Sequence, residues 1–142
     1  MSSKVGNKFL IIGPLIVIVS FLYISLPFIF MGSPTPIFQI FNDDIKSHEV
    51  TVEVFNPNNE SIINKTYNLE PGSDFLEDRP LSLWLPQAKG EYTFKVTMDK
   101  QITNTVKIEI PNKYTGVSIR LYSKNYESGE NIPILIETAE KL

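Results

Sequence analysis

The sequence predicts an all-β antiparallel sandwich of seven to eight strands, preceded by one N-terminal transmembrane helix. Three features carry this expectation. Residues 9–31 contain no charged side chain, and nearly all are large and apolar. From residue 37 onward, short runs alternate apolar with polar residues. Turn-forming clusters interrupt those runs about every ten residues, the rhythm of paired strands and not of helices.

The apolar run comes first. As a helix, 23 residues span about 34 Å, enough for a hydrocarbon core about 30 Å thick. Pro14 falls in the first turn, where a missing N–H costs little. Pro27 lies near the far end, where it kinks or ends the helix. The run is longer than the core of a cleaved signal peptide, and no small-residue pair marks a cleavage site after it. Lys4 and Lys8 precede the run, and no basic residue follows until Lys46. The positive-inside rule then places residues 1–8 in the cytoplasm and the distal part outside. Residues 32–36, Gly-Ser-Pro-Thr-Pro, read as a short stiff spacer because proline favours extended backbone.

The distal domain, residues 37–142, follows in strand-sized pieces. Ile37 to Phe41 is a short apolar strand. His48 to Phe55 places Val50, Val52 and Val54 on one face, with Glu49, Thr51 and Glu53 on the other. Asn56-Pro-Asn-Asn59 is a turn, and Ile62 to Leu69 returns with Ile63, Tyr67 and Leu69 inward. Leu81, Leu83 and Leu85 alternate with Ser82 and Trp84, which predicts a further strand with Trp84 facing out. Tyr92, Phe94, Val96 and Met98 alternate with Thr93, Lys95 and Thr97. Asp99-Lys100 makes a tight hairpin into a strand carrying Ile102, Val106, Ile108 and Ile110. Val117, Ile119 and Leu121 define the next strand. Ile132 to Ile136 predicts an edge strand, since Pro133 suits an edge, and residues 137–142 read as a frayed end or a helical turn. One-sided alternation means sheets with one buried and one wet face. Two such sheets face to face give a sandwich of immunoglobulin type.

Charge and composition narrow the function. All sixteen acidic residues and eleven of the thirteen basic ones lie in residues 42–142. An acidic domain repels phosphates, so no nucleic acid is expected as a partner. The chain has no cysteine, which removes disulfides, thiol catalysis and thiolate metal sites. With one histidine, His48, and no nucleophile–base pair or nucleotide loop, no catalytic residue, no cofactor and no enzyme activity are expected.

A few residues stand as candidates for contact or modification. Glu70, Asp74, Glu77 and Asp78 crowd one stretch and are weak candidates for calcium ligation, since oxygen ligands suit that ion; a solvated charged loop is the simpler reading. Asp43-Asp44 reads as a turn, and His48 as a half-exposed residue opening a strand. Asn59-Glu-Ser61 and Asn64-Lys-Thr66 are N-glycosylation acceptor sequences. Trp84, out of phase with its leucine neighbours, is a candidate contact residue.

Asn42-Asp-Asp44, His48 to Val54, Pro71-Gly72 and Gly90-Glu-Tyr-Thr-Phe94 together resemble the small immunoglobulin-like domains of archaeal and bacterial surface proteins, over roughly residues 37–123. That resemblance implies adhesion, spacing or assembly without catalysis. Pilins, archaellins and accessory subunits of surface filaments also join an apolar helix to a β-sandwich, but Lys8 and the two prolines suit a packed filament helix poorly. The expectation is a single-pass cell-membrane protein whose exterior sandwich contacts a protein or envelope partner, with a filament accessory subunit as the alternative.

Overall fold

A computed structural model of the chain describes residues 13–23, 25, 34–84, 89–124 and 129–140. The chain divides into two compact units between Ser33 and Pro34. In the first, residues 13–23 are helical, and Leu15 to Val19 and Phe21 to Tyr23 are all exposed by half or more of their surface. Among the described residues no helix is long and apolar enough to cross a membrane. The rest of the expected span 9–31, save Ser25, lies outside the described residues.

The second unit is built from eight strands: β1 (Phe38–Asn42), β2 (His48–Phe55), β3 (Ser61–Leu69), β4 (Asp74–Glu77), β5 (Gly90–Met98), β6 (Ile102–Ile110), β7 (Thr115–Lys124) and β8 (Asn131–Glu140). They form two four-stranded sheets, ordered β4-β1-β7-β8 and β3-β2-β5-β6. Every pairing is antiparallel except that of β1 with β7.

The core follows from period-two alternation. Val50, Val52, Val54, Phe94, Val96 and Met98 from one sheet have no exposed surface, nor do Phe38, Ile40, Val117, Ile119 and Leu121 from the other. All belong to one continuous cluster. The outward face of the β3-β2-β5-β6 sheet is polar and pairs with itself. Its register aligns Thr66, Thr51, Thr97 and Thr103 in one row across all four strands. The hydroxyls meet at 2.9 Å (Thr51–Thr66) and 3.0 Å (Thr97–Thr103). In the adjacent row Lys95 donates to Glu53 at 2.6 Å. β-branched residues on a solvated face support pleated backbone without asking for a partner.

Several sequence expectations need correction. The third strand of an immunoglobulin constant domain crosses to the opposite sheet from the second. Here the Asn56–Asn59 turn folds β3 back beside β2 in the same sheet. Residues Leu81–Trp84 form a 3₁₀ turn and not a strand. Pro80 stands just before it, and the Leu83 N–H closes the turn on the Pro80 carbonyl at 2.9 Å. The stretch read as a charged loop contains β4, whose two adjacent apolar residues hide its alternation. Finally, β8 continues through residues 137–140 as strand, held by Val117↔Thr138 and Gly116↔Ala139 pairing.

Two turns have chemistry to match. Asp99 and Lys100 both take positive φ, 52° and 59°, and the Gln101 N–H returns to the Met98 carbonyl. That is the pattern of a type I′ turn, whose twist suits a hairpin. Gly90 has φ 154°, and a Cβ there would lie 2.6 Å from the Pro57 ring, so only glycine lets β5 start beside the β2–β3 turn.

Ile119 sits fully buried in β7, opposite Ile40 of β1 and Ile136 of β8. Ile119→Ala should cost about 2–5 kcal/mol, whereas Thr103→Ala on the solvated row should stay within about 0.5 kcal/mol. Urea unfolding curves of both variants check this, and equal costs would refute the assignment of faces.

Candidate functional site

The two ends of the sandwich hold its buried charges. At the end where the chain enters, Arg79 lies in the segment after β4 and is almost fully buried. Its Nε donates to the Thr35 carbonyl at 3.2 Å and its Nη2 to the Thr115 carbonyl at 2.6 Å. Thr35 in turn donates its N–H and hydroxyl to the Lys113 carbonyl, both at 3.2 Å. Trp84 donates its indole N–H to the Arg79 carbonyl at 3.1 Å. A guanidinium is the right group for this place, because its fixed fork reaches two carbonyls on separate segments. Burial lowers the Arg79 pKa, but an arginine keeps its proton.

At the opposite end, Asn42 organises the loop between β1 and β2. Its side-chain N–H groups reach the carbonyls of Lys46 at 2.8 Å, Leu69 at 3.2 Å and Glu70 at 3.0 Å, and its Oδ1 accepts from the Asp44 N–H at 3.1 Å. That loop aims Asp44 at His48. The His48 ring is buried, with Nε2 2.9 Å from Asp44 Oδ2 and Nδ1 2.7 Å from Asp99 Oδ2. Asp99 also accepts the Glu49 N–H at 3.0 Å. The ring stacks on Tyr122 at 5.3 Å. Tyr122 has φ 53°, unusual for so bulky a residue, and it lies opposite Pro133 in an otherwise unbroken β7–β8 register. His48 therefore joins both sheets and is not a half-exposed strand end.

A neutral imidazole offers one N–H, and two carboxylates ask for two. Burial favours the neutral ring, but the hydrogen bonds to Asp99 and Asp44 outweigh it and raise the His48 pKa. The same hydrogen bonds lower the pKa of Asp44, helped by the Ile45 N–H, and that of Asp99.

The four acidic candidates do not converge. Glu70 accepts from the Ser47 hydroxyl at 2.8 Å, and Asp74 from Gln39 at 2.8 Å. Glu77 turns inward, where Lys65 and the Tyr67 hydroxyl take its two oxygens. Burial first, and then that Glu77 contact, push the Tyr67 phenol up. Asp78 is exposed. Among the described residues no group of three or more His, Asp or Glu could hold a metal ion. Asn59 lies exposed at the tip of the β2–β3 turn with φ 62°. Asn64 lies exposed on β3, an edge strand, and donates to Glu53 at 3.3 Å. Trp84 is half-buried over Arg79 and does not point straight outward. Sequence reasoning did not single out Arg79, and no local signal marks a buried arginine. Asp43 and Asp44 lie in the bend between β1 and β2, as their turn reading expects, and there Asp43 pairs with Arg120 at 2.9 Å and Asp44 with His48. No protein-family model matches the chain, and no curated protein matches it.

Two measurements test these ends. Because the His48 pKa is raised on folding, its stabilisation is complete below the ordinary value of 6.5 and is lost as pH rises through the folded value. The lowered Asp44 and Asp99 values add stability above 3.8 that is lost in acid. Thermal melts should thus show a plateau in mildly acidic buffer and a decline on the alkaline side. His48→Gln should flatten that decline, and superimposable pH profiles would refute the clasp. At the other end, Arg79→Met should cost about 2–3 kcal/mol by urea unfolding, the scale of hydrogen bonds to a charged group. Arg79→Lys should restore little, because a single ammonium cannot span both carbonyls.

Proposed function

We propose that this chain is a single-pass membrane-anchored surface protein whose β-sandwich makes non-catalytic contacts with a protein or envelope partner. The observation that supports the anchor best is the helix of residues 13–23. Its apolar side chains cover every side and stand exposed, from 50% at Leu22 to 79% at Tyr23. A helix that is apolar all round needs apolar surroundings. In the uncharged run 9–31 it has the sequence length for a bilayer to supply them. Lys4 and Lys8 before the run favour a cytoplasmic tail 1–8 and an extracytoplasmic sandwich. The spacer role then belongs to Gly32-Ser33, because Thr35 is already bonded into the sandwich.

The non-catalytic reading draws on how the polar side chains are used. His48 is held by two carboxylates, Glu77 by Lys65 and Tyr67, and Arg79 by two carbonyls. Groups so fully engaged serve packing and orientation, while general acid–base work needs a group that can reach substrate.

Protease treatment of cells expressing a C-terminally tagged chain tests this. The tag should fractionate with membranes, resist alkaline carbonate and be digested from outside, leaving a protected fragment of about the first 36 residues. A tag that survives until the membrane is opened would refute the outward topology. A tag in the soluble fraction would refute the anchor.

A further inference from the structure

The network around Arg79 does more than close one end of the sandwich. By bonding Thr35 to Lys113, Arg79 to Thr35 and Thr115, and Trp84 to Arg79, it gathers a particular set of side chains around Pro34, where the chain enters. Leu81, two residues beyond Arg79, is 74% exposed. Tyr114, between the two bonded residues of the Thr115 strand start, is 48% exposed. The Lys113 ammonium lies 5.0 Å from the Tyr114 ring centre. Trp84 is half-buried against the Arg79 carbonyl. The opposite end carries Asp43, Asp44, Glu49 and Asp99.

An indole, a phenol and a lysine settle at the headgroup level of a bilayer, where an apolar body and a polar tip are both accommodated, and an exposed leucine among them gains from leaving water. Chain length supplies the occupant. Only Gly32 and Ser33 separate Met31, the last residue of the uncharged run, from Pro34. Even fully extended, that stretch reaches only about 10 Å. If Met31 lies at the edge of the hydrocarbon, Pro34 lies within the interfacial layer, about 5–7 Å thick on each side, or at most a few ångströms beyond it.

On the anchor reading above, we infer that the Pro34 end of the sandwich is a membrane seat: Leu81 and Tyr114 enter the lipid headgroup layer, with Lys113 at the phosphates. The same end also carries the exposed acids Asp78, Glu60, Glu91 and Glu109, so Lys113 gives it no net positive charge. The seat is therefore interfacial and apolar in character and does not depend on anionic lipid. Seated this way, the domain turns its Asp44–His48–Asp99 end away from the bilayer.

The chain lends itself to a direct test because it has no cysteine. In the full chain, Leu81→Cys and Ile45→Cys place a reporter at the entry end and at the opposite end. Both sites are exposed, at 74% and 87%, so neither label disturbs the core. Each labelled chain is reconstituted into phosphatidylcholine vesicles with and without headgroup nitroxide lipid, then floated on a density gradient. The expected result is flotation of both, with loss of dye emission at position 81 and none at position 45. The native Trp84, the only tryptophan, should lose emission in parallel, and Tyr114→Asp should diminish that loss without affecting flotation. Flotation with equal emission at 81 and 45 would overturn the seat and leave the anchor standing. Failure to float would overturn both. Loss of emission only when phosphatidylglycerol is added would replace the interfacial seat with an electrostatic one and overturn the inference as stated.

Discussion

The parallel pairing of β1 with β7 is the constraint on which the rest of this domain depends. β1 is five residues long, yet it lies between β4 and β7, so the first sheet has no continuity without it. Parallel strands cannot be joined by a tight turn. The intervening chain carries all four strands of the second sheet before β7 returns to β1. The entry is fixed by contacts of high sequence separation, such as Thr35 to Lys113, 78 residues apart. Loop closure of that length is costly in entropy, and the burial of Phe38, Ile40, Val117, Ile119 and Leu121 offsets it. Arg79 completes the closure because its carbonyl acceptors, on Thr35 and Thr115, lie on the two segments that must meet.

The two ends solve one problem in different chemical terms. Each must hold chain segments together where the strands run out. At the entry end, a permanently charged guanidinium donates to carbonyls. At the far end, Asn42 fixes the loop and His48 bridges two carboxylates beneath Tyr122. The first arrangement is insensitive to pH, since arginine stays charged. The second depends on the imidazole keeping both protons. The positive φ of Tyr122 belongs to this arrangement: its register partner on β8 is Pro133, which has no N–H to give, and the ring lies on His48.

Strand positions and the core were largely legible because the period of two is strict where one face is buried. Val50, Val52 and Val54 or Tyr92, Phe94, Val96 and Met98 leave little choice of face. What alternation does not encode is which strand pairs with which. The short turn after Phe55 was readable, but that it keeps β3 in the sheet of β2, against the immunoglobulin order, is a tertiary outcome. Leu81 to Leu85 alternate as a strand would, yet Leu81–Trp84, after Pro80, close a 3₁₀ turn, and Leu85 lies outside the described residues. β4 was illegible for the opposite reason: Phe75 packs on Tyr67 and Leu76 faces out, so adjacent apolar residues serve different surroundings. The end sites were least visible. Asp44, His48 and Asp99 come together only through the Asn42 loop and the type I′ turn, and Arg79 has no sequence neighbour that announces its burial.

The distribution of polar satisfaction bears on where such a domain can make contacts. The outward face of the β3-β2-β5-β6 sheet pairs threonine with threonine and lysine with glutamate across strands, and the Asn64 amide leans on Glu53. A face whose groups are already paired has little to gain from a partner, since each contact would exchange one hydrogen bond for another. The exposed apolar surface lies elsewhere, at Leu81 and Tyr114 near the entry, at Phe75 and Leu76 on the β4 edge, and at Ile45 on the Asn42 loop. β4 is also the shortest strand and an edge, with backbone groups open on one side. Transferring apolar surface out of water is what makes association favourable. On the proposed membrane seat, the β4 edge and the Asn42 loop would be the surfaces from which a partner gains most, and the paired threonine face would gain least.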